Sequence, residues 1–116
     1  MTVKDFYDFI NGDYAGTLGR LMKEERILKY VKKFAESDEF TQLKDNLAKQ
    51  DYETAFRNAH NMKGVCANLG FSELQEVSST LCEDLRPGFP SGDVEKELRD
   101  VADAYDRVIA AIALID

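Results

Sequence analysis

The only histidine of this chain, His60, stands in the run Ala59-His60-Asn61-Met62-Lys63-Gly64-Val65-Cys66-Ala67-Asn68-Leu69-Gly70. Free imidazole titrates near neutrality and is nucleophilic there, so a ring nitrogen can accept a phosphoryl group and pass it on. Such a carrier needs an exposed ring, a cation near the phosphoryl oxygens and room for another site to close over it. On a helix, positions i, i+3 and i+4 are surface neighbours. Lys63 would then supply a flexible point charge beside His60, and Gly64 would supply the room. Glycine inside a helix costs about 1 kcal/mol relative to alanine, so something should want the space it leaves. Each residue alone has a plainer reading. A lone helix histidine is usually a surface residue, and a mid-helix glycine usually permits close helix packing. Their conjunction in one turn favours the carrier.

Rival chemistries find fewer residues. One histidine and two cysteines, Cys66 and Cys82, do not make a zinc site, and no metal site is expected. Nucleophilic hydrolysis needs a base beside the nucleophile, and no second histidine can serve a serine or cysteine. Glu83-Asp84 is a carboxylate pair, but it lies in a generally acidic segment. Gly12, Gly16 and Gly19 are spaced unlike a phosphate-cradling loop. Cys66 reads best as a small core residue.

Composition narrows the class. A chain of 116 residues suits one domain, residues 1–116, with one core. No apolar run approaches the roughly 20 residues that span a bilayer, and no signal segment follows Met1. The expectation is a cytoplasmic, monomeric protein without membrane contact, both cysteines reduced. Net charge is −7, and the entire excess lies in residues 71–116; residues 1–70 are balanced. Nucleic acid is therefore an unsuitable partner, since phosphate backbones are bound by basic patches.

Helices must position the His60 run, because apolar spacings of three and four recur and strand alternation is absent. Val94, Leu98, Val101, Tyr105, Val108, Ile112 and Ile115 form one apolar stripe, with Ser91 as its expected N-cap. Leu74, Val77, Ser78, Leu81 and Leu85 form another, with Ser72 and Gln75 as a capping-box pattern. The His60 helix is expected from about Asp51, its cap, to Leu69, with Gly70 in the left-handed position after it. Its core stripe is Ala55, Ala59, Met62, Cys66 and Leu69. Upstream, Ile27, Leu28, Val31, Phe34 and Ala35 mark one face, and Phe40, Leu43 and Leu47 another. The two are out of phase by about 150°, and one long helix through Ser37-Asp38-Glu39 is expected to present both. Phe6 to Met22 reads as one or two short helices around Asn11-Gly12-Asp13. Short connections make the sum an all-α, antiparallel up-down-up-down four-helix bundle with a short N-terminal helical arm.

The run His60-x-x-Lys63-Gly64, with Ala59 before it and Ala67-Asn68-Leu69-Gly70 after it, resembles the signature of histidine-containing phosphotransfer (HPt) domains. Phe34 is similar to the aromatic of the family's preceding helix, and Leu81 with Glu83-x-x-Arg86 to the character of the following one. Cys66 departs from the family, standing where a small alanine or serine is common. The resemblance implies a phosphorelay intermediate of a two-component system. His60 would be the phosphoacceptor between receiver-domain aspartates, Lys63 the phosphoryl-stabilising lysine and Gly64 the close-approach glycine. It implies a carrier rather than an enzyme, with no cofactor of its own and Mg²⁺ on the partner receiver. Partners would be the receiver domain of a response regulator, a hybrid histidine kinase, or both. By geometry the docking surface would include Arg57, Asn61 and Ala67, with Phe34 at its border. The alternatives are a phosphoacceptor domain of a histidine kinase and a helical adaptor without phosphotransfer.

Overall fold

The computed structural model describes residues 1–116 as seven helices without a strand: α1 (Val3–Phe9), α2 (Tyr14–Leu21), α3 (Glu24–Glu36), α4 (Glu39–Ala48), α5 (Tyr52–Leu69), α6 (Ser72–Leu85) and α7 (Val94–Ile112). Contacts across helices fix their directions. Between α4 and α5, Glu39 meets Asn61 and Asn46 meets Asn58. Between α5 and α6, Phe71 donates to the Cys66 carbonyl and Arg86 covers Phe56. Between α6 and α7, Glu73 pairs with Arg107, and the segment entering α7 places Ser91 on the Asp84 carbonyl. In each case numbers rise on one helix as they fall on the next, so α4 to α7 run up, down, up, down. The all-α bundle and its N-terminal arm, α1 and α2, match the sequence expectation.

One long helix does not form upstream of α5. The chain leaves helical geometry at Ser37 (φ −70°, ψ 141°) and restarts after Asp38. The apolar pattern supplies the reason. Ile27, Val31 and Phe34 are buried on α3, Phe40 and Leu43 on α4. A continuous helix would send these sets to different sides; the break turns both inward. The Ser37 hydroxyl accepts from the Glu39 amide, which helps restart the helix.

Two caps also differ from expectation. Asp93, not Ser91, caps α7 by accepting from the Lys96 amide, while Ser91 donates to Asp84. Ser72 is already inside α6, whose cap position is Phe71, and no capping box forms. Phe71 is held there by burial: it is 1 % exposed and packs on Phe6, Tyr7 and Phe34 at 5.8, 6.1 and 5.2 Å between ring centroids. The aromatic cluster continues from Phe34 through Tyr105 to Phe40. It joins the arm, α3, α4, α6 and α7 into one core.

The arm also closes the end of α5. Last-turn carbonyls have no partner within a helix. Here Arg20 donates to the carbonyls of Ala67 and Asn68, the Tyr7 hydroxyl to Leu69 at 2.6 Å, and the Asp13 amide to Gly70 at 2.9 Å. Burial pushes the Tyr7 phenol up to about 12, so it stays a donor. Gly70 adopts φ 70°, and a Cβ there would lie 2.1 Å from Thr17 Oγ1. Only glycine satisfies both demands. Both cysteines are free and buried, and burial pushes the Cys66 thiol up to about 12. No helix is long and apolar enough to cross a membrane.

Two outcomes follow from these contacts. Tyr7→Phe leaves the buried Leu69 carbonyl without its partner and should cost about 1–3 kcal/mol in urea unfolding; a loss within error of zero would show that the arm does not secure α5. The second concerns Glu97, whose carboxyl lies against Gly92 beside Asp84 and has one oxygen without a hydrogen-bond partner. Burial first, and Asp84 second, raise it from the ordinary 4.5 to about 7. A raised carboxyl favours the folded state while protonated, so its contribution is full below 4.5 and is lost as pH rises through about 7. Glu97→Gln should therefore gain stability relative to the parent across that interval. A difference independent of pH between 4 and 8, on the order of that whole range, would contradict the assignment.

Candidate functional site

Helix α5 is built to bury one side and bare the other. Asp51 accepts from the Thr54 amide at its start, and Thr54, through its hydroxyl first and its amide second, holds the Asp51 carboxyl below its ordinary range. Gly70 ends it, both as expected. Ala55, Ala59, Met62, Cys66 and Leu69 are all buried, at 0–3 % exposure. The sequence stripe is thus the core face. The opposite face carries Arg57, His60, Asn61, Gly64, Val65, Ala67 and Asn68, all exposed.

His60 projects from the middle of this face, and no hydrogen bond or ion pair within the chain engages its ring nitrogens. Lys63 is half-buried one turn further on and forms no ion pair. Helical side chains lean toward the helix N-terminus, so a residue covers the surface of the turn before its own. Lys63 stands on the turn next to His60, and its ammonium lies near Glu83 of α6, as the imidazole does. A side chain at position 64 would lean onto the imidazole itself. A Cβ built on Gly64 meets nothing within 4 Å, so no helix of this chain packs into the space. The ordinary reason for a mid-helix glycine, close helix packing, does not apply here.

The other residues expected at the surface divide. Arg57 is exposed and pairs only with Glu53, at 2.7 Å; a solvent-exposed pair of this kind is worth little. Asn61 is exposed and donates to Glu39 at 3.3 Å. The Ala67 side chain is free while its carbonyl takes Arg20. Phe34 corrects the expectation: at 7 % exposure it is packed between Phe71 and Tyr105 and belongs to the core. It contributes only to the floor of a groove of about 380 Å³ between α3, α4 and α5. Tyr30, Lys33, Asn61, Val65 and Gly64 line the groove's open side.

Asn58, Glu39 and Arg86 also adjoin the site, and the sequence does not place them there. Asn58, 5 % exposed, accepts from Asn46 at 2.8 Å and donates to Glu39 at 2.5 Å. Glu39 also holds Asn61, so one carboxylate fixes the start of α4 to the turn that carries His60. Position 58 follows Ala55 by three and precedes Met62 by four, which places it on the core face; an asparagine there signals a buried polar contact. Arg86 lies across Phe56 with its guanidinium carbon 5.0 Å from the ring centre, and Phe56 in turn stacks on His60. The i, i+3 pair Glu83–Arg86 was visible, but its reach to α5 depends on helix register.

The family model described as Hpt domain matches residues 34–113, from the last turns of α3 to the end of α7. No curated protein and no solved structure gives a significant match. The matched region is well over half of the chain and contains α4 to α7, with His60 at the centre of their exposed face. The bundle, the bare histidine and this match lead to one assignment: the chain belongs to the Hpt domain family, the phosphotransfer modules of two-component signalling.

Proposed function

We propose that this protein is a phosphorelay intermediate that carries a phosphoryl group on His60 between the aspartates of receiver domains. The observation that carries the reading is an exposed imidazole with no hydrogen bond to its ring nitrogens, one turn from an unpaired Lys63 and a Gly64 whose missing side chain leaves open space that nothing in the chain fills.

The chemistry is a displacement at phosphorus. A lone pair on a His60 ring nitrogen forms the N–P bond as the bond from phosphorus to the receiver's aspartyl oxygen breaks. The aspartate leaves as carboxylate, and the imidazole N–H proton passes to solvent. Charge spreads over the three equatorial oxygens in such a transfer, and positioning plus electrostatics supply most of the catalysis. Lys63 supplies one positive charge from this chain. Mg²⁺ bound to the receiver would supply the rest, so this chain acts as a carrier without a cofactor of its own. Transfer to a second receiver is the same step reversed.

The docking surface we assign is the exposed face of α5, with Arg57, Asn61 and Ala67 around His60 and the adjoining groove beyond Gly64. Receiver active sites are acidic, and the segment that carries this face, residues 51–70, is balanced in charge, with two acidic and two basic side chains. A helical adaptor without phosphotransfer would have been favoured by a buried or blocked His60, and the ring is neither.

The test is incubation with a phosphorylated receiver, following acid-labile phosphate on this chain. Wild type should take the label and His60→Gln should not; equal labelling of both would sink the reading. Lys63→Ala should slow transfer by about 10- to 100-fold, the scale of one lost charge-assisted contact, with the urea midpoint unchanged. Gly64 separates stability from function. Gly64→Ala should stabilise the fold by about 0.5–1 kcal/mol, because the added methyl meets open space. Gly64→Gln should fold as well as the parent and lose transfer, because its side chain would stand where the receiver must approach. Full transfer by Gly64→Gln would remove the clearance argument.

A further inference from the structure

The imidazole of His60 has one neighbour that the chemistry above does not use. Phe56 stands one turn earlier on α5, half-buried, with its ring 6.0 Å from the imidazole and the planes 28° apart. The stack follows from helix geometry, since the His60 side chain leans back over position 56. Phe56 is itself held. Arg86 reaches across from α6 to lie over the ring at 5.0 Å. Two hydrogen bonds to Glu83, at 3.1 and 2.9 Å, fix Arg86 in that pose. The order is therefore Glu83, Arg86, Phe56, His60, and nothing of this chain lies within 4 Å of where a Cβ on Gly64 would stand.

We propose that Phe56 is a positioning residue for phosphoryl transfer. It fixes the rotamer of the imidazole so that a ring nitrogen faces the side bared by Gly64, and the Glu83–Arg86 pair holds Phe56 in place. The inference rests on the phosphoacceptor reading of His60. An exposed histidine otherwise samples several rotamers, and transfer proceeds only from those aligned with phosphorus. Aromatic stacking is strong enough to bias that choice by about 2- to 10-fold. Phe56 gives and takes no proton, so its loss should change rate without changing the product.

The test uses phosphoramidate as donor, which removes receiver docking from the comparison. A His60 ring nitrogen attacks phosphorus, the P–N bond breaks, ammonia leaves and the other imidazole nitrogen loses its proton to solvent. Phe56→Leu should label about 2- to 10-fold more slowly than wild type at an unchanged urea midpoint, and Phe56→Tyr should restore the rate. The imidazole C–H resonances of His60 in proton NMR should lose their ring-current shift in Phe56→Leu and keep it in Phe56→Tyr. Arg86→Leu, which leaves Phe56 in place, should lower the rate in the same direction and serves if Phe56→Leu loses stability. Wild-type rates in Phe56→Leu and Arg86→Leu, or imidazole resonances that do not move in Phe56→Leu, would overturn the proposal. A wild type that takes no label overturns the phosphoacceptor reading instead, and the stack is then judged on the resonances alone.

Discussion

The end of α5 is the junction on which the other contacts depend. A helix that presents a nucleophile to another protein must keep that face free of its own chain, so it has to be held from behind and at its ends. Its last carbonyls are taken by Tyr7, Arg20 and the Asp13 amide, all from the N-terminal arm. Gly70 makes the approach possible, and Phe71, the next residue, is the centre of the aromatic core. Two adjacent residues thus end the His60 helix, attach the arm and begin the next helix.

That arrangement explains how an exposed histidine can also be well placed. The core face of α5 is small and tightly buried, with two alanines and a cysteine among its five stripe positions. Small side chains bring α5 close to its neighbours and let Asn58 reach Glu39 and Asn46. A buried polar network of this kind is specific, because leaving any member unpaired is costly. On the exposed side, contacts are few: Glu39 of α4 holds Asn61, Arg20 of α2 takes the Ala67 and Asn68 carbonyls, and Arg86 of α6 lies over Phe56. Rigidity is supplied behind the site and clearance in front of it.

Much of this was legible in the sequence, for physical reasons. The α5 stripe and the α7 stripe are long and periodic, so their buried faces follow from the 3.6-residue period. The caps at Asp51 and Gly70 are local chemistry and were read directly. The misreadings arose where tertiary contacts decide. A phase change between Phe34 and Phe40 was visible, but whether a helix bends or breaks there depends on where both faces must go, and the common core required a break. The α7 cap fell to Asp93 because Ser91 found a partner on α6. Phe34 was placed at the docking border by its position in sequence, whereas Phe71 and Tyr105 enclose it. The arm's bonds to α5 span more than 45 residues of sequence, so no local pattern could announce them.

The candidate site is a conjunction in the sequence, His60 with Lys63 and Gly64, and the structure adds what a conjunction cannot contain: nothing in the chain fills the space beside Gly64. In the proposed relay, this space admits a phosphoryl group arriving at His60 from another protein. The most direct measurement is to transfer phosphate from a phosphorylated receiver, digest with trypsin at neutral pH, and locate the modification by mass spectrometry. Acid-labile, alkali-stable phosphate is expected on the peptide Asn58–Lys63, at His60. Phosphate on any other peptide, or an acid-stable phosphoester, would contradict the proposed relay.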